Sequence, residues 1–185
     1  MTMPPLAEHL PAGTFEVSAA TDGMPAIVVP AEHLVEVARI LRDAPALRFI
    51  VCVDVTAADH YPREPRYDLV YHLVSPERGL RLRVRVHATG PSPAVPTVSS
   101  VWPSANWQER EVIDLFGVGF TGHPDPTRLI LPDEWEGHPL RKDFPVQIRL
   151  RPRAEEPLQV TEEEFRANLA RDKAARADAP GKIGA

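Results

Sequence analysis

The sequence predicts an α+β fold, in which a two-layer domain has a mixed or antiparallel sheet packed by helices and continues into a long, extended, proline-rich C-terminal arm. Three observations support this prediction. Apolar and polar residues alternate over 67–73 and 80–86, as in a β-hairpin. Apolar residues recur at helical spacing over 31–43 and 101–116. Of the 21 prolines, 12 follow residue 90, and proline is disfavoured in helix interiors and central strands.

The first half of the chain is predicted to contain a strand, a helix and a second strand. The first strand, 27–29, ends at Pro30. The helix at 31–43 follows, with an apolar stripe formed by Leu34, Val37, Ala38 and Leu41. Residues 47–55 carry β-branched residues on both parities, which is typical of a strand buried on both faces.

The hairpin is the clearest element. Its first strand alternates Tyr67, Leu69, Tyr71 and Leu73 with Asp68, Val70 and His72, and its turn is 75–79. The return strand has Leu80, Leu82, Val84 and Val86 on one face and Arg81, Arg83, Arg85 and His87 on the other. The basic row could bind an anion or an acidic partner, but a solvated face paired across the strands with Asp68 is favoured.

The second half is predicted to be poor in regular structure. Residues 90–96 indicate a stiff polyproline connector, and the helix at 101–116 should end at Gly117. Arg110 and Asp114, four residues apart on that helix, are spaced to pair. Beyond it the chain is expected to be extended until Thr161, where a capping box opens a last helix. The predicted division is therefore a domain at 1–117, a partner-docking arm at 118–160 and a helix with its tail at 161–185.

Composition excludes several functions. The net charge of −5 argues against a nucleic-acid partner. No apolar run reaches the roughly 20 residues that span a bilayer, so direct membrane insertion is not expected. The N-terminal residues lack the basic charge of a signal or transit peptide. The single cysteine, Cys52, lies in an apolar run, which predicts a buried thiol, and one thiol holds neither a disulfide framework nor an iron–sulfur cluster alone.

A metal site is the main catalytic alternative. His123, Asp125, His138 and Asp143 offer ligand types used by zinc and iron. Each histidine precedes a proline, which favours extended geometry, and 15 residues separate the two, so convergence on one ion is disfavoured. A metal-dependent hydrolase using His123, Asp125 and His138 remains open. Otherwise no nucleophile or nucleotide-binding motif is present, and we predict no catalytic, cofactor-binding or metal-binding residues and no cofactor.

The arm is instead predicted to contact a partner. Residues 141–145 combine two cations, an acid and an aromatic residue, and arginine and aromatic side chains are enriched at interfaces. The prolines stiffen the segment before binding, which lowers the entropy lost on docking. The predicted interface residues are His123, Asp125, Arg128, His138, Arg141, Lys142, Asp143 and Phe144.

The arm and the helix before it also resemble a known family. The combination of Glu109-Arg110-Glu111-x-x-Asp114-Leu115-Phe116-Gly117, Gly122-His123-Pro124-Asp125 and the run from Gly137 to Pro145 is similar to the C subunit of bacterial NADH–quinone oxidoreductase, respiratory complex I. The resemblance covers roughly residues 25 to 150. Thr127 departs from it, since the family often has a basic residue there, and the tail after Pro145 matches no part of the family's pattern.

The resemblance implies a subunit without catalytic residues or cofactors of its own. Such a subunit lies in the hydrophilic arm, against the large quinone-site subunit and its cluster-bearing neighbour, and the complex holds it at the cytoplasmic side of the cell membrane as a peripheral protein. The assembly passes electrons from NADH through iron–sulfur clusters to quinone and pumps protons. The equivalent subunit of a membrane-bound hydrogenase-type complex is an alternative that the shared motif does not separate.

Overall fold

The structure is a computed structural model that describes residues 5–18, 22–145 and 161–177. The chain divides into two compact units, Met1–Phe144 and Pro145–Ala185. Residues 146–160, which include most of the predicted tail of the arm, lie outside the described residues. The division predicted at residues 117 and 160 therefore stays a prediction.

The first unit is built on a five-stranded mixed sheet, which confirms the predicted α+β class. The strands are β1 (Glu16–Ser18), β2 (Ala26–Val28), β3 (Val51–Asp59), β4 (Tyr67–Ser75) and β5 (Leu80–Ala88). Their order across the sheet is β1-β2-β5-β4-β3. Strands β2 and β5 are parallel, and every other pair in this sheet is antiparallel. Strand β1 has no counterpart in the sequence prediction.

The predicted hairpin is confirmed as β4 and β5 at the centre of the sheet. Tyr71 faces Val84 across the pair, and Leu73 faces Leu82, with all four side chains buried. The opposite face carries the basic row, where Arg85 Nε donates to Asp68 Oδ2 at 2.8 Å. The cross-strand pairing favoured from the sequence is therefore present.

Strand β3 corrects the prediction for 47–55. Leu47 and Phe49 are buried but precede the strand, in a turn where Arg48 has a φ of 51°. Val51 and Val53 are 39% and 54% exposed, so the strand is buried on one face only. Apolar residues occupy both odd and even positions because β3 is an edge strand that also carries apolar side chains on its exposed face.

Two helices cover the sheet. Helix α1 (Leu34–Asp43) follows a 3-10 turn at Ala31–His33 and buries the predicted apolar stripe. Helix α2 (Ala105–Phe116) is shorter than predicted, beginning after Pro103 and ending at Gly117, whose φ is 68°. Besides apolar residues, α2 buries three charged ones, Glu109, Arg110 and Asp114.

A second, two-stranded sheet flanks α2. Strand β6 (Ala94–Pro96) pairs in parallel with β7 (Gly119–Thr121), so α2 is the crossover between them. The predicted polyproline connector is thus wrong for 94–96, which form a strand. Val95, Val118 and Phe120 are buried and join this small sheet to the core.

The second unit contains helix α3 (Glu162–Ala177), which confirms the predicted last helix. Its capping box is formed, since Thr161 N donates to Glu164 Oε2 at 2.9 Å and Glu164 N donates to Thr161 Oγ1 at 3.3 Å. Phe165 and Leu169 are 62% and 47% exposed. Across the described residues, no helix combines the length and apolarity needed to cross a bilayer.

Candidate functional site

The candidate site is the segment 122–144, here called the strap. All of its residues are described, and they contain neither helix nor strand. The strap leaves β7 and lies against α2 and the end of β3. Because it has no backbone ladder of its own, its polar groups must be satisfied by other parts of the first unit. Buried charged side chains perform this role.

Asp114 holds the middle of the strap. Its Oδ2 accepts the backbone N–H groups of Leu129, Ile130 and Leu131 at 3.3, 2.8 and 2.8 Å. Its Oδ1 accepts a hydrogen bond from Arg128 at 3.1 Å. Burial alone would raise the pKa of Asp114, but these donors outweigh it and hold the pKa below its usual value.

Arg110 holds the segment just before. Its Nε donates to Thr127 O at 3.0 Å, and its Nη2 donates to Thr127 Oγ1 at 2.8 Å and to Arg128 O at 3.0 Å. The guanidinium also lies over the ring of Trp107, 4.8 Å from its centroid. The expected Arg110–Asp114 pair is therefore not formed, because each side chain bonds the strap instead. Thr127, the departure from the family pattern, is a direct acceptor for Arg110.

Glu109 and His123 meet where the strap begins. The side chains of both are fully buried, with Glu109 Oε2 3.6 Å from His123 Nε2. Val98 N donates to Glu109 Oε1 at 2.8 Å, and Thr97 Oγ1 hydrogen bonds Oε2. Burial raises the pKa of Glu109 to about 7, although the hydrogen bonds from Thr97 and Val98 act in the opposite direction.

The end of the strap closes the C-terminus of α2. His138 Nδ1 donates to Asp114 O at 2.8 Å, and Arg141 donates to Phe116 O at 2.6 Å and to Gly117 O at 3.1 Å. These carbonyls have no partner within the helix, and cationic donors are favourable at a helix C-terminus. A Cβ at Gly117 would overlap both the His138 ring and the Arg141 guanidinium.

The last contact joins the strap to the end of β3 and to Arg66, which directly precedes β4. Arg66 donates to Asp59 Oδ2 at 2.9 Å and to Asp143 Oδ1 at 2.7 Å, and it thereby bridges the sheet and the strap. Asp59 Oδ2 also accepts the N–H of Lys142 at 2.8 Å. Burial opposes ionisation of Asp59, but the Arg66 guanidinium and the backbone donors lower its pKa to about 2.

The predicted interface residues are mostly engaged inside the chain. His123 is buried, whereas Asp125 and Asp143 are 51% and 44% exposed on the side chain but paired with Arg110 and Arg66. Phe144 stacks on Trp135, with ring centroids 6.5 Å apart. Lys142 is exposed. Arg128, His138 and Arg141 each hydrogen bond to other parts of the first unit. A role for these residues toward a partner stays a prediction.

Sequence reasoning missed the large aliphatic side chains on the exposed surface of the strap. Leu129, Ile130 and Leu140 are 38%, 55% and 49% exposed, and Trp107 of α2, beside Arg110, is 59% exposed. The sequence pattern that could have indicated them is a set of large aliphatic residues in a segment without helical or strand periodicity. Such a segment forms no core of its own in which these side chains could be buried.

The structure does not support the metal alternative. His123 and His138 each direct one ring nitrogen to a backbone carbonyl, Asn106 O and Asp114 O. Over residues 5–18, 22–145 and 161–177, no three His, Cys, Asp or Glu side chains are grouped so that they could hold a metal ion.

The fold is similar to two solved structures. The chain is similar to a solved structure described as Nqo5 of the trypsin-resistant fragment (1-134), with 37% identity, a TM-score of 0.53, and coverage of 60% of this chain and 89% of the other. It is also similar to a chain of the membrane-bound sulfane sulfur reductase, an archaeal respiratory membrane complex, with 30% identity, a TM-score of 0.63, and coverage of 73% and 79%.

The sequence comparison is more specific. Residues 27–149 match the family described as respiratory-chain NADH dehydrogenase, 30 Kd subunit, and the chain belongs to this family. The NADH-quinone oxidoreductase C subunit of Roseiflexus sp. (strain RS-1) is 45% identical over 129 residues, 70% of this chain and 74% of the relative. The second C subunit of the same enzyme in Rhizobium meliloti (strain 1021) is 44% identical over 135 residues, 73% and 74% of the two chains. The resemblance stated from the motifs is confirmed.

Proposed function

We propose that this chain is a structural and assembly subunit in the hydrophilic arm of a proton-pumping NADH–quinone oxidoreductase, with no catalytic residues of its own. The strap docks on the large quinone-site subunit and its cluster-bearing neighbour, and the complex holds the chain as a peripheral protein at the cytoplasmic side of the cell membrane. The relatives named as C subunits of NADH-quinone oxidoreductase support this assignment of complex.

One observation carries the docking role: charged side chains from the rest of the first unit hold the strap, and the strap exposes large aliphatic side chains on its surface. Asp114, Arg110 and Arg66 bond the strap from within the first unit. Ile130 and Leu140 are about half exposed on the outer side. Apolar side chains presented on a segment that is fixed from behind are typical of a protein interface, because little conformational entropy is lost on docking.

The test is co-purification of the complex with a tagged, full-length chain in which Ile130→Asp places a charge on the outer side of the strap. We expect the neighbouring subunits to be lost, because a buried unpaired charge costs several kcal/mol at an interface. Val17→Asp is the matched control, since Val17 is 81% exposed on β1 at the far edge of the sheet from β3. Circular dichroism must show both variants folded.

Undiminished recovery of the neighbouring subunits with the folded Ile130→Asp variant would contradict the docking role. Loss of the neighbouring subunits with Val17→Asp alone would place the interface at the β1 edge of the sheet instead. The predicted contacts of Lys142 and Asp143 are tested in the same way, with Lys142→Glu expected to weaken recovery less than Ile130→Asp, because exposed charges contribute little at the rim of an interface.

A second candidate is the equivalent subunit of a related membrane-bound complex. It is favoured by the likeness to the archaeal sulfane sulfur reductase chain, which has 30% identity and a TM-score of 0.63. The same co-purification separates the two candidates, because the identity of the recovered chains shows which complex the strap binds. Recovery of NADH-oxidising subunits supports the first candidate, and recovery of a complex that lacks them supports the second.

A further inference from the structure

A fully buried carboxyl group lies at the corner between α2 and the strap. Glu109 is 0% exposed. It is faced by Cys52 of β3, whose pKa burial raises to about 12, and by Tyr71 of β4, whose pKa burial also raises well above its usual value. Both are neutral near pH 7. In the part of the chain that the structure describes, His123 is the one basic group that approaches Glu109 within ion-pair distance.

The two ring nitrogens of His123 have different hydrogen-bond partners. Nδ1 accepts the N–H of Asp125 at 3.1 Å and therefore carries no proton. Nε2 carries the proton and donates it to Asn106 O at 3.1 Å. An imidazolium would donate from both nitrogens, so it would have to release the Asp125 N–H. A negative charge on Glu109 consequently has no cation to balance it while residues 123–125 keep this arrangement.

The donors around Glu109 are consistent with a protonated carboxyl group. Thr97 Oγ1 has one proton but two oxygen neighbours, Glu109 Oε2 and Ser99 Oγ, the latter at 2.8 Å. If Oε2 carries a proton, it donates to Thr97 Oγ1, and Thr97 donates to Ser99. Oε1 remains an acceptor for Val98 N at 2.8 Å. Every polar group in the cluster then has a partner.

We propose that Glu109 and His123 form a proton-controlled latch at the start of the strap, closed while Glu109 holds a proton and loosened when that proton leaves. Loss of the proton puts an unbalanced charge beside the buried ring. Relief comes either from an imidazolium that has released Asp125 or from solvation of the carboxylate as residues 123–125 move off α2. The latch requires only residues of this chain, whereas any effect of its opening on docking rests on the proposed function.

The direction of the pH effect follows from the raised pKa. Below about pH 4.5, the usual pKa of the group, Glu109 is protonated in the closed and the open latch, so the latch is fully held. As pH rises toward 7 the open state loses its proton first, which favours opening, and above pH 7 both states are ionised and the effect is complete. Between pH 6 and pH 8 the equilibrium for opening should rise about tenfold.

Amide hydrogen exchange on the full-length chain measures this opening, with rates corrected for the intrinsic pH dependence of exchange. We expect protection at His123 and Asp125 to fall about tenfold between pH 6 and pH 8 relative to amides of the β4–β5 hairpin. Glu109→Gln, which imitates the protonated carboxyl group, should remove the change. Glu111→Gln, on the exposed side of α2, is the matched control and should behave like the unaltered chain.

Three results would overturn the latch: constant protection in the unaltered chain, the same pH dependence in Glu109→Gln, or an equal change in the hairpin amides. If Glu109→Gln does not fold, a carbon-13 titration of the Glu109 carboxyl group in the unaltered chain decides, since a midpoint near 4.5 contradicts the proposal and one near 7 supports it. Amide hydrogen exchange is measured on the isolated chain. A negative result for the latch is therefore distinguishable from a negative result for docking in the co-purification experiment.

Discussion

Three ionisable residues of α2 lie against the strap at different points. Glu109 meets His123 at its start, Arg110 binds the carbonyl of Thr127, and Asp114 collects three successive backbone N–H groups. The charges of Arg110 and Asp114 would be costly to bury alone, because an unpaired buried charge is poorly solvated. The strap therefore supplies the hydrogen bonds that make this helix surface stable, and the helix supplies those that the strap lacks.

Substitution of Arg110 by lysine should release the strap while keeping the charge. The lysine ammonium cannot reproduce the fork that reaches Thr127 and Arg128 together, and hydrogen bonds to charged groups contribute roughly 1.5–3 kcal/mol. We expect the free energy of unfolding in urea to fall by about 2 kcal/mol and tryptic cleavage after Arg128 to accelerate. Unchanged cleavage in Arg110→Lys, with Glu111→Gln as the control, would contradict this role.

Asp59 should make the stability of the first unit depend on acidity. Its pKa of about 2 lies below the usual 3.8, so its contribution is present above about pH 4 and lost as pH falls toward 2. Asp59→Asn should therefore destabilise the protein by about 2 kcal/mol at pH 7, and the difference should shrink in urea titrations between pH 4 and pH 2. Asp143→Asn, which alters the half-exposed partner of Arg66, should cost less than about 1 kcal/mol. A pH-independent difference for Asp59→Asn would refute this explanation.

At the scale of elements, the junction between α2 and the strap depends on Gly117. Alanine there would be strained by the positive φ of 68° and would also displace the His138 ring and the Arg141 guanidinium. Gly122→Ala is a control with a φ of 80° but only an ordinary contact with Thr97 at 3.7 Å. We expect Gly122→Ala to cost about 1 kcal/mol in urea unfolding and Gly117→Ala clearly more, with faster tryptic cleavage after Arg141. Equal costs would show that the Cβ overlap is accommodated.

The hairpin and α1 could be predicted because their periodicity extends over many residues and agrees with burial. Strands β1, β6 and β7 have three residues each, too few to show a pattern, and their pairing depends on chain segments far apart in sequence. The strap was correctly identified as irregular. The sequence predicts that its charged residues contact a partner. The local sequence does not reveal the contacts within the chain, such as the 2.8 Å hydrogen bonds from the N–H groups of Ile130 and Leu131 to Asp114 Oδ2.

At the scale of the whole molecule, we expect residues 1–117 to need the strap in order to fold. Truncation after Gly117 removes β7 and with it the buried Val118 and Phe120, and it leaves Glu109, Arg110 and Asp114 without their strap partners. We expect that fragment to be insoluble or unfolded by circular dichroism. Truncation after Phe144, at the boundary of the first unit, should leave a cooperatively folded protein. A well-folded 1–117 fragment would show that the anchors contribute little.

The inward direction of the anchors has a consequence for divergence within the family. Contacts with α2 constrain which residues the inner side of the strap can carry. The exposed side chains of Ile130 and Leu140 are constrained only by the surface of a neighbouring subunit. The two sides can therefore evolve independently. A family member could acquire a different neighbouring subunit by changing a few exposed aliphatic residues, without loss of the fold. Exchange of those outer residues between two family members should transfer the choice of neighbour and leave thermal stability almost unaltered.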